Sequence, residues 1–249
     1  MTKLTSSEQQ FLIENFRLAV SARDEDVTEL TQLLDVEFVQ AYVEQTKSVL
    51  GTDYQFAAAS LLMKRLGFML TVPALYAMTM YDKQLNLHLS NGAIVSKFRG
   101  DLWLPELLLH DRSVGQKGDL DREAWREQVV NDLFASVADI IVTVSSAIGV
   151  PKPILWENVA VYVYWLYETR IEAAVPNRAE DFHYLIETAP ASAFGQTRNP
   201  LGQYYKSEQQ PDEVRRRRTC CFYYAANEEG KCCTTCPKSK QQLRKMPFK

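Results

Sequence analysis

Five cysteines, Cys220, Cys221, Cys232, Cys233 and Cys236, are the only ones in a chain of 249 residues, and they fall within seventeen positions near its C-terminal end. A secreted disulfide scaffold spreads its cysteines so that bridges close long loops, whereas a metal site gathers ligands from a short stretch, as here. Cys233 and Cys236 form a C-x2-C pair followed by Pro237, a spacing at which a tight turn aims two sulfurs at one metal and which zinc and iron-sulfur sites share. Cys220 and Cys221 are adjacent. Neighbouring residues of extended backbone point to opposite sides, so both reach a single tetrahedral ion only with local bending. A two-iron cluster offers terminal positions on two irons, and this favours [2Fe-2S] over a lone zinc, with a structural zinc or a thiol pair as the other readings of the same spacing.

The run Arg215-Arg216-Arg217-Arg218 stands immediately before the first cysteine pair. From residue 211 onward there are ten Lys and Arg against four Asp and Glu, a net of +6, while the remainder holds 18 against 27, a net of −9. Such a basic segment suits an anionic ligand, an acidic surface, nucleic acid or the negative charge of a thiolate-bound cluster. Four thiolates give an oxidised two-iron cluster a formal charge of about −2, and nearby guanidinium groups stabilise its reduced form and raise its potential. Tyr223 and Tyr224, beside the first pair, are candidates for a wall that shields such a group.

The arrangement R-R-x-C-C, a loop of about ten residues, then C-x2-C-P resembles the ending of the FhuF-like ferric-siderophore reductases. Phe222-Tyr223-Tyr224, Gly230, the loop tripeptide Asn199-Pro200-Leu201 and Leu155-Trp156-Glu157-Asn158 at a helix start are similar to that family as well. The resemblance implies that four cysteines ligate a [2Fe-2S] cluster. It also implies one-electron reduction of a ferric siderophore, of hydroxamate, citrate or similar type, in the cytoplasm. The family pattern is C-C-x10-C-x2-C, and this chain has one cysteine more. Taking Cys232 keeps the ten-residue interval after Cys221 but lengthens the final chelate; taking Cys233 gives an eleven-residue interval and keeps C-x2-C. One more residue in a loop costs a fraction of a kcal/mol whereas the short chelate has strict geometry, so Cys220, Cys221, Cys233 and Cys236 are the expected ligands, with Cys232 as the alternative. Arg217, Arg218 and Tyr223 are expected to meet the substrate. In broader outline the body is similar to the C-terminal region of siderophore synthetases, which implies a siderophore-binding cavity without synthetase activity.

Reduction lowers the charge on iron held by hard oxygen donors and so releases it, a task that requires no general acid or nucleophile. Neither G-x-G-x-x-G nor G-x-x-x-x-G-K-[ST] occurs, so electrons are expected from an external donor such as a ferredoxin or flavodoxin. His88, His110 and His183 are scattered in unlike contexts without metal-ligand spacing and receive no role. The rival functions are a zinc-stapled module binding nucleic acid or protein, and an iron-sulfur sensor; the favoured reading expects no nucleic acid.

These sulfurs need a body to dock on. Apolar periodicity predicts helices from Phe11 and at 36–50, 54–80 with a division at Pro73, 122–148, 154–174 and 178–188. Alternating Leu85, Leu87 and Leu89 before Asn91-Gly92 predict a β-hairpin over 85–98, with Leu89 opposite Ile94 and Leu85 opposite Phe98. The expected fold is mainly α with a small β-hairpin or sheet (α+β). A helical siderophore-binding body occupies 1–210, and a cysteine-rich cluster segment, 211–249, docks on it. The segment is too small for a core of its own and requires metal or docking. The apolar run 133–150 carries Asp139, Thr143, Ser145 and Ser146, costly in hydrocarbon, and is read as a core helix. Trp103, Trp125, Trp156 and Trp165 read as core at helical spacing. The polar N-terminus has no secretory character, which points to the cytoplasm, with contact at the inner face of the membrane left open.

Overall fold

Thr5 starts the first helix: its hydroxyl accepts the amide of Glu8 while the Glu8 carboxylate accepts the amide of Thr5, a reciprocal cap that fixes α1 (Ser6–Phe16). In the computed structural model, which describes residues 2–22, 27–205, 215–226 and 230–238, the elements follow in this order. Strands β1 (Thr2–Lys3), β2 (Leu18–Ala19) and β3 (Val27–Glu29) surround α1, and α2 (Val36–Val49) and α3 (Gln55–Tyr81) come next. Six short strands then run from β4 (Gln84–Leu85) through β5 (Gly92–Val95), β6 (Phe98–Arg99), β7 (Leu102–Trp103) and β8 (Glu106–Leu109) to β9 (Ser113–Gly115). The chain continues with α4 (Arg122–Ile148), α5 (Lys152–Trp165), α6 (Arg178–His183) and α7 (Pro200–Tyr204). Helix dominates, with small sheets at one side.

The core is built on α3 and α5. Nearly every residue of α3 from Ala57 to Thr79 is buried, and the helix runs unbroken through Pro73 instead of dividing there. Packing on all its sides outweighs the one amide bond that proline removes. The contacts of α3 with α5 pair Ser60 with Asn158, Gly67 with Val159 and Phe68 with Tyr162 and Trp165, so the two helices run in the same direction. A Cβ on Gly67 would stand 3.1 Å from the Val159 Cα and 3.4 Å from the Asn158 carbonyl oxygen; the hydrogen of glycine is what allows this close approach.

Helices α3 and α4 are each long and apolar enough to cross a membrane, but their most apolar windows are 89% and 56% buried inside the fold. Both serve as core helices. Trp103, Trp125 and Trp156 are buried too, Trp156 against Phe134 and Phe194. The expected helices at 154–174 and 178–188 form as α5 and α6, each closing in a single π turn, Leu166–Arg170 and Tyr184–Thr188. The connection after Thr188 is docked, with Phe194 and Leu201 fully buried. The boundary expected near Gln210 and the basic residues from 239 onward lie outside the described residues.

The hairpin differs from expectation. Its strands are β5–β6 and β7–β8, turning at Gly100, whose φ is +58°. Gly92 is extended (φ −132°) and starts β5; Ile94 lies opposite Leu107, Phe98 opposite Trp103, and Leu85 opposite Val114. Asn91 closes a 3-10 turn, Leu89–Asn91, instead of a two-residue hairpin turn, and its side chain donates to the carbonyls of Asn86 and Asp111 at 2.9 Å and accepts the amide of Asp111 at 2.7 Å. A Cβ at 92 would come within 2.6 Å of the Leu30 Cδ1, so a larger residue there requires the end of that leucine to shift. Strand β8 is the centre of the main sheet, parallel to β2 and antiparallel to β5, with β3 on the far edge.

Candidate metal centre

Helix α5 carries a carboxylate where its apolar face would call for another aliphatic residue. Glu157 and Asn158, 2% and 0% exposed, follow Leu155 and Trp156 into the interior. A buried carboxylate requires donors, and the cysteine segment supplies them. The amides of Arg218 and Thr219 donate to the two carboxylate oxygens of Glu157 at 2.7 Å each, and the Thr219 hydroxyl donates as well. Asn158 donates to the carbonyl and hydroxyl oxygens of Ser60 on α3, and the Ser60 hydroxyl donates to the carbonyl of Cys221 at 3.1 Å. Two buried polar chains therefore seat the first cysteine pair across the α3–α5 groove.

The backbone at this pair bends. Phe222 lies in the left-handed region (φ +59°), uncommon for a bulky residue and held here by packing. Its ring stands edge-on to Phe56 at 5.0 Å, and its amide donates to the sulfur of Cys220 at 3.5 Å. Ala57, Cys220, Phe222 and Tyr224 form a small apolar cluster. Tyr224 is thus the buried wall beside the cysteines, while Tyr223 is 38% exposed and lies under the Lys64 ammonium, 6.0 Å from its ring centre.

The second pair is tied to the first by backbone. The amide of Arg217 donates to the carbonyl of Thr235 at 2.9 Å, Arg216 reaches the carbonyl of Cys236, and the amide of Cys236 closes a turn on the carbonyl of Cys233. Cys220, Cys221 and Cys236 are buried, and Cys232 and Cys233 are half-buried. The sulfurs of Cys221 and Cys233 stand 3.5 Å apart, close to the separation of about 3.8 Å that two thiolates take on one tetrahedral metal with bonds of about 2.3 Å. Among the described residues no three Cys, His, Asp or Glu side chains converge as a closed metal cage.

Electrostatics mark the same spot. The hydrogen bond shared by Cys221 and Cys233, with the Arg217 and Lys64 cations, holds Cys221 down against the effect of burial. Cys233, the other member of the pair, is raised in turn and keeps its proton more tightly than an ordinary thiol. Burial pushes Cys220 up to about 11. Arg217 is the most unusual group: its side chain is 1% exposed, it pairs with the Glu157 carboxylate at 3.7 Å, and none of its three guanidinium nitrogens has a hydrogen-bond partner among the described residues. A buried guanidinium without acceptors is costly. The sulfur-rich donor set and this buried cation, whose nitrogens make no hydrogen bond among the described residues, fit an anionic, thiolate-ligated group at the cysteines.

Of the residues expected to meet substrate, Arg218 and Tyr223 are exposed and Arg217 is turned inward. Arg215 anchors the segment, pairing with Glu168 and stacking on Tyr164 and Tyr205 at 4.9 and 4.6 Å. The sequence alone assigns Ser60, Glu157 and Asn158 no role. The available signal was a glutamate and an asparagine inside the apolar run Ile154-Leu155-Trp156 and Val159-Ala160.

Comparison with known proteins places these observations in a family. No curated protein matches the chain. Among solved structures, the aerobactin synthetase IucC from a hypervirulent pathotype of Klebsiella pneumoniae aligns at 16% identity and a TM-score of 0.48, covering 70% of this chain and 36% of that one. The aligned part is thus little more than a third of the synthetase's length. Residues 60–213, more than half of the chain, match the family described as ferric iron reductase FhuF-like transporter. That match includes the α3–α5 groove and stops seven residues short of Cys220. The chain belongs to the ferric iron reductase FhuF-like family.

Proposed function

We propose that the protein is a ferric-siderophore reductase: it passes single electrons from an external carrier to Fe3+ in a siderophore complex, and Fe2+ is released. The observation that carries this reading is the guanidinium of Arg217, buried beside the paired sulfurs of Cys221 and Cys233 and without a hydrogen bond among the described residues, in a chain of a ferric iron reductase family. Cys220, Cys221, Cys233 and Cys236 would hold a [2Fe-2S] cluster, with the short chelate favouring Cys233 over Cys232. Such a cluster supplies a low-potential one-electron centre when bound.

The remaining work falls to the protein's own side chains. Glu157 and Ser60 fix the first cysteine pair on the rigid α3–α5 groove, so the sulfurs keep their places through a redox cycle. Arg217 offsets negative charge gathered at the sulfurs, and Phe222 and Tyr224 keep water from their buried side. Exposed Arg218 and Tyr223 face an arriving complex. One electron enters from a reduced ferredoxin or flavodoxin and one leaves to Fe3+, so no proton transfer or covalent intermediate is required. The reading places the protein in the cytoplasm, or at the inner face of the membrane, with residues 211–249 as the cluster segment and no nucleic-acid partner.

Anaerobically purified protein tests it. The expected preparation is red-brown, carries iron and acid-labile sulfide, gains an EPR signal on reduction, and is reoxidised by ferric siderophores as Fe2+ forms. A colourless protein with about one zinc per chain and no uptake of iron and sulfide overturns it; a cluster that no ferric complex reoxidises makes it a sensor instead.

A further inference from the structure

At the end of α3 opposite the cysteine dock, a cavity of about 350 Å³ opens between the first two turns of α4 and α6 with its π turn. Arg126 is its buried wall. The residue is 6% exposed, its Nε is buried, and its guanidinium makes no hydrogen bond among the described residues. The carboxylate beside it is already taken: the two oxygens of Asp181 receive Arg122 at 2.6 and 2.8 Å, and one also receives the Thr79 hydroxyl. Arg126 therefore stands 3.6 Å from Asp181 and 3.7 Å from Glu123, ion pairs too long to be hydrogen bonds. Its central carbon lies 4.6 Å from the ring centre of Tyr184, which holds the planar fork in place. A guanidinium carries five donors in that plane, and burying them without acceptors is costly.

The lining tells what would meet this fork. A carboxylate fits a guanidinium with two parallel bonds, and the positive end of the α4 dipole favours the same sign of charge. His183 and Thr188, both exposed, add an imidazole and a hydroxyl beside it. The mouth has the opposite character, because Glu123 and Glu180 also line the cavity and are exposed. A simple anion would bring its far end against those two carboxylates, and a simple cation would leave Arg126 as it is. A small molecule that carries a carboxylate and an ammonium satisfies both ends at once. The volume is at the lower end of the range that small-molecule sites span.

We infer that this cavity binds a small zwitterion of the α-amino-acid class, with its carboxylate on Arg126 and its ammonium between Glu123 and Glu180. The inference stands apart from the reductase reading. Thr79, which shares Asp181 with Arg122, lies nineteen residues beyond Ser60 on α3, about 28 Å along the helix, so this is a second site and not the place of the redox reaction.

Calorimetric titration of the full-length protein tests it, with L-serine, L-leucine and L-lysine each taken to about 10 mM. The amino acid bound most tightly is then compared with the same skeleton lacking the ammonium or lacking the carboxylate; for L-leucine these are 4-methylpentanoate and 3-methylbutylamine. The zwitterion is expected to bind at least about tenfold more tightly than either single-ended analogue. Arg126→Met should remove about tenfold or more of that affinity, and Arg126→Lys, which keeps the charge without the planar fork, should restore only part of it. Glu180→Gln changes an exposed side chain and so folds even if Arg126 variants do not. It should weaken the amino acid while leaving the carboxylate-only analogue unchanged or tighter, a split that general destabilisation does not produce. No binding of any of the three amino acids, equal binding of a single-ended analogue, or unchanged affinity in Arg126→Met or, where that variant fails to fold, in Glu180→Gln overturns the site and leaves the cavity to water.

Discussion

Glu157 holds the peptide amides of Arg218 and Thr219 at 2.7 Å, one on each carboxylate oxygen, from a position 2% exposed inside the fold. That one side chain fixes the backbone leading into Cys220. Glu157→Gln keeps the volume but sets an NH2 group against an amide and leaves Arg217 without its nearest counter-charge. Losing one partner of a buried charged pair costs roughly 3–5 kcal/mol. The cost falls on docking of the segment, so proteolysis around 215–226 and loss of iron to a chelator should accelerate together. Unchanged rates of both would remove Glu157 from the account.

The cysteine set makes a second prediction. Changed singly to Ser, Cys220, Cys221, Cys233 and Cys236 should each abolish or strongly alter the visible absorption, and Cys232→Ser should retain it. The 3.5 Å contact of Cys221 with Cys233 is the structural reason. Cys232 borders the apolar cluster of Cys220 and Phe222. A spectrum lost with Cys232 and kept with Cys233 would reverse the register.

Helix positions were legible because they depend on local pattern. The apolar spacing from Phe11 marks α1, and α4 spans Arg122–Ile148, where its apolar pattern places it. The cysteine segment stands out in the sequence for the same reason, since its five thiols are neighbours in the chain, and the fold brings the sulfurs of Cys221 and Cys233 within 3.5 Å. Asn91-Gly92 misled because its local signal is that of a two-residue turn, while the side chain of Asn91 is committed to Asp111, twenty residues on. The seat of the cysteines was hidden for a related reason. Ser60 meets Cys221 across 161 residues of sequence and Glu157 meets Thr219 across 62, and only a folded α3–α5 pair brings them together. A charged residue inside an apolar run is a signal that a partner exists, but not which one.

Metal loading should depend on pH with a definite sign. Cys220 is pushed up to about 11 by burial, and Cys233 is raised by its bond with Cys221, so both are protonated at neutral pH in the metal-free chain. Ligation requires thiolates and expels those protons. Affinity for a probe such as Co2+, followed by its thiolate charge-transfer band, should therefore rise with pH between 6 and 8, by about tenfold per unit for each proton released. A flat profile would mean that the thiols are already ionised and the burial argument is wrong.

Arg217 should set the potential of the loaded protein. Its three nitrogens lack acceptors among the described residues, and its charge already lowers the pKa of Cys221. Arg217→Met keeps an unbranched apolar stem and removes the cation, which makes the added electron less favourable. Dye-equilibrated titration should show a more negative potential with the visible spectrum retained. A merely structural arginine would leave the potential in place.

A substitution at the opposite end of α3 separates the stability of the body from the chemistry of the segment. Asp181 is fully buried and receives two bonds from Arg122, at 2.6 and 2.8 Å, and one from the Thr79 hydroxyl at 2.8 Å; Thr79 in turn meets the hydroxyl of Tyr167. Asp181→Asn removes the charge that balances Arg122, with Arg126 3.6 Å away, and should cost about 3 kcal/mol or more. For a chain of this size that is a fall of about 6–12 °C in Tm. Thr79 lies nineteen residues beyond Ser60 on α3, about 28 Å along a helix, so below the lowered Tm the absorption and potential of the cysteine centre should match those of the unsubstituted protein. If they shift while the body stays folded, the two ends of α3 are coupled, and the picture of a rigid groove on which the segment rests is wrong.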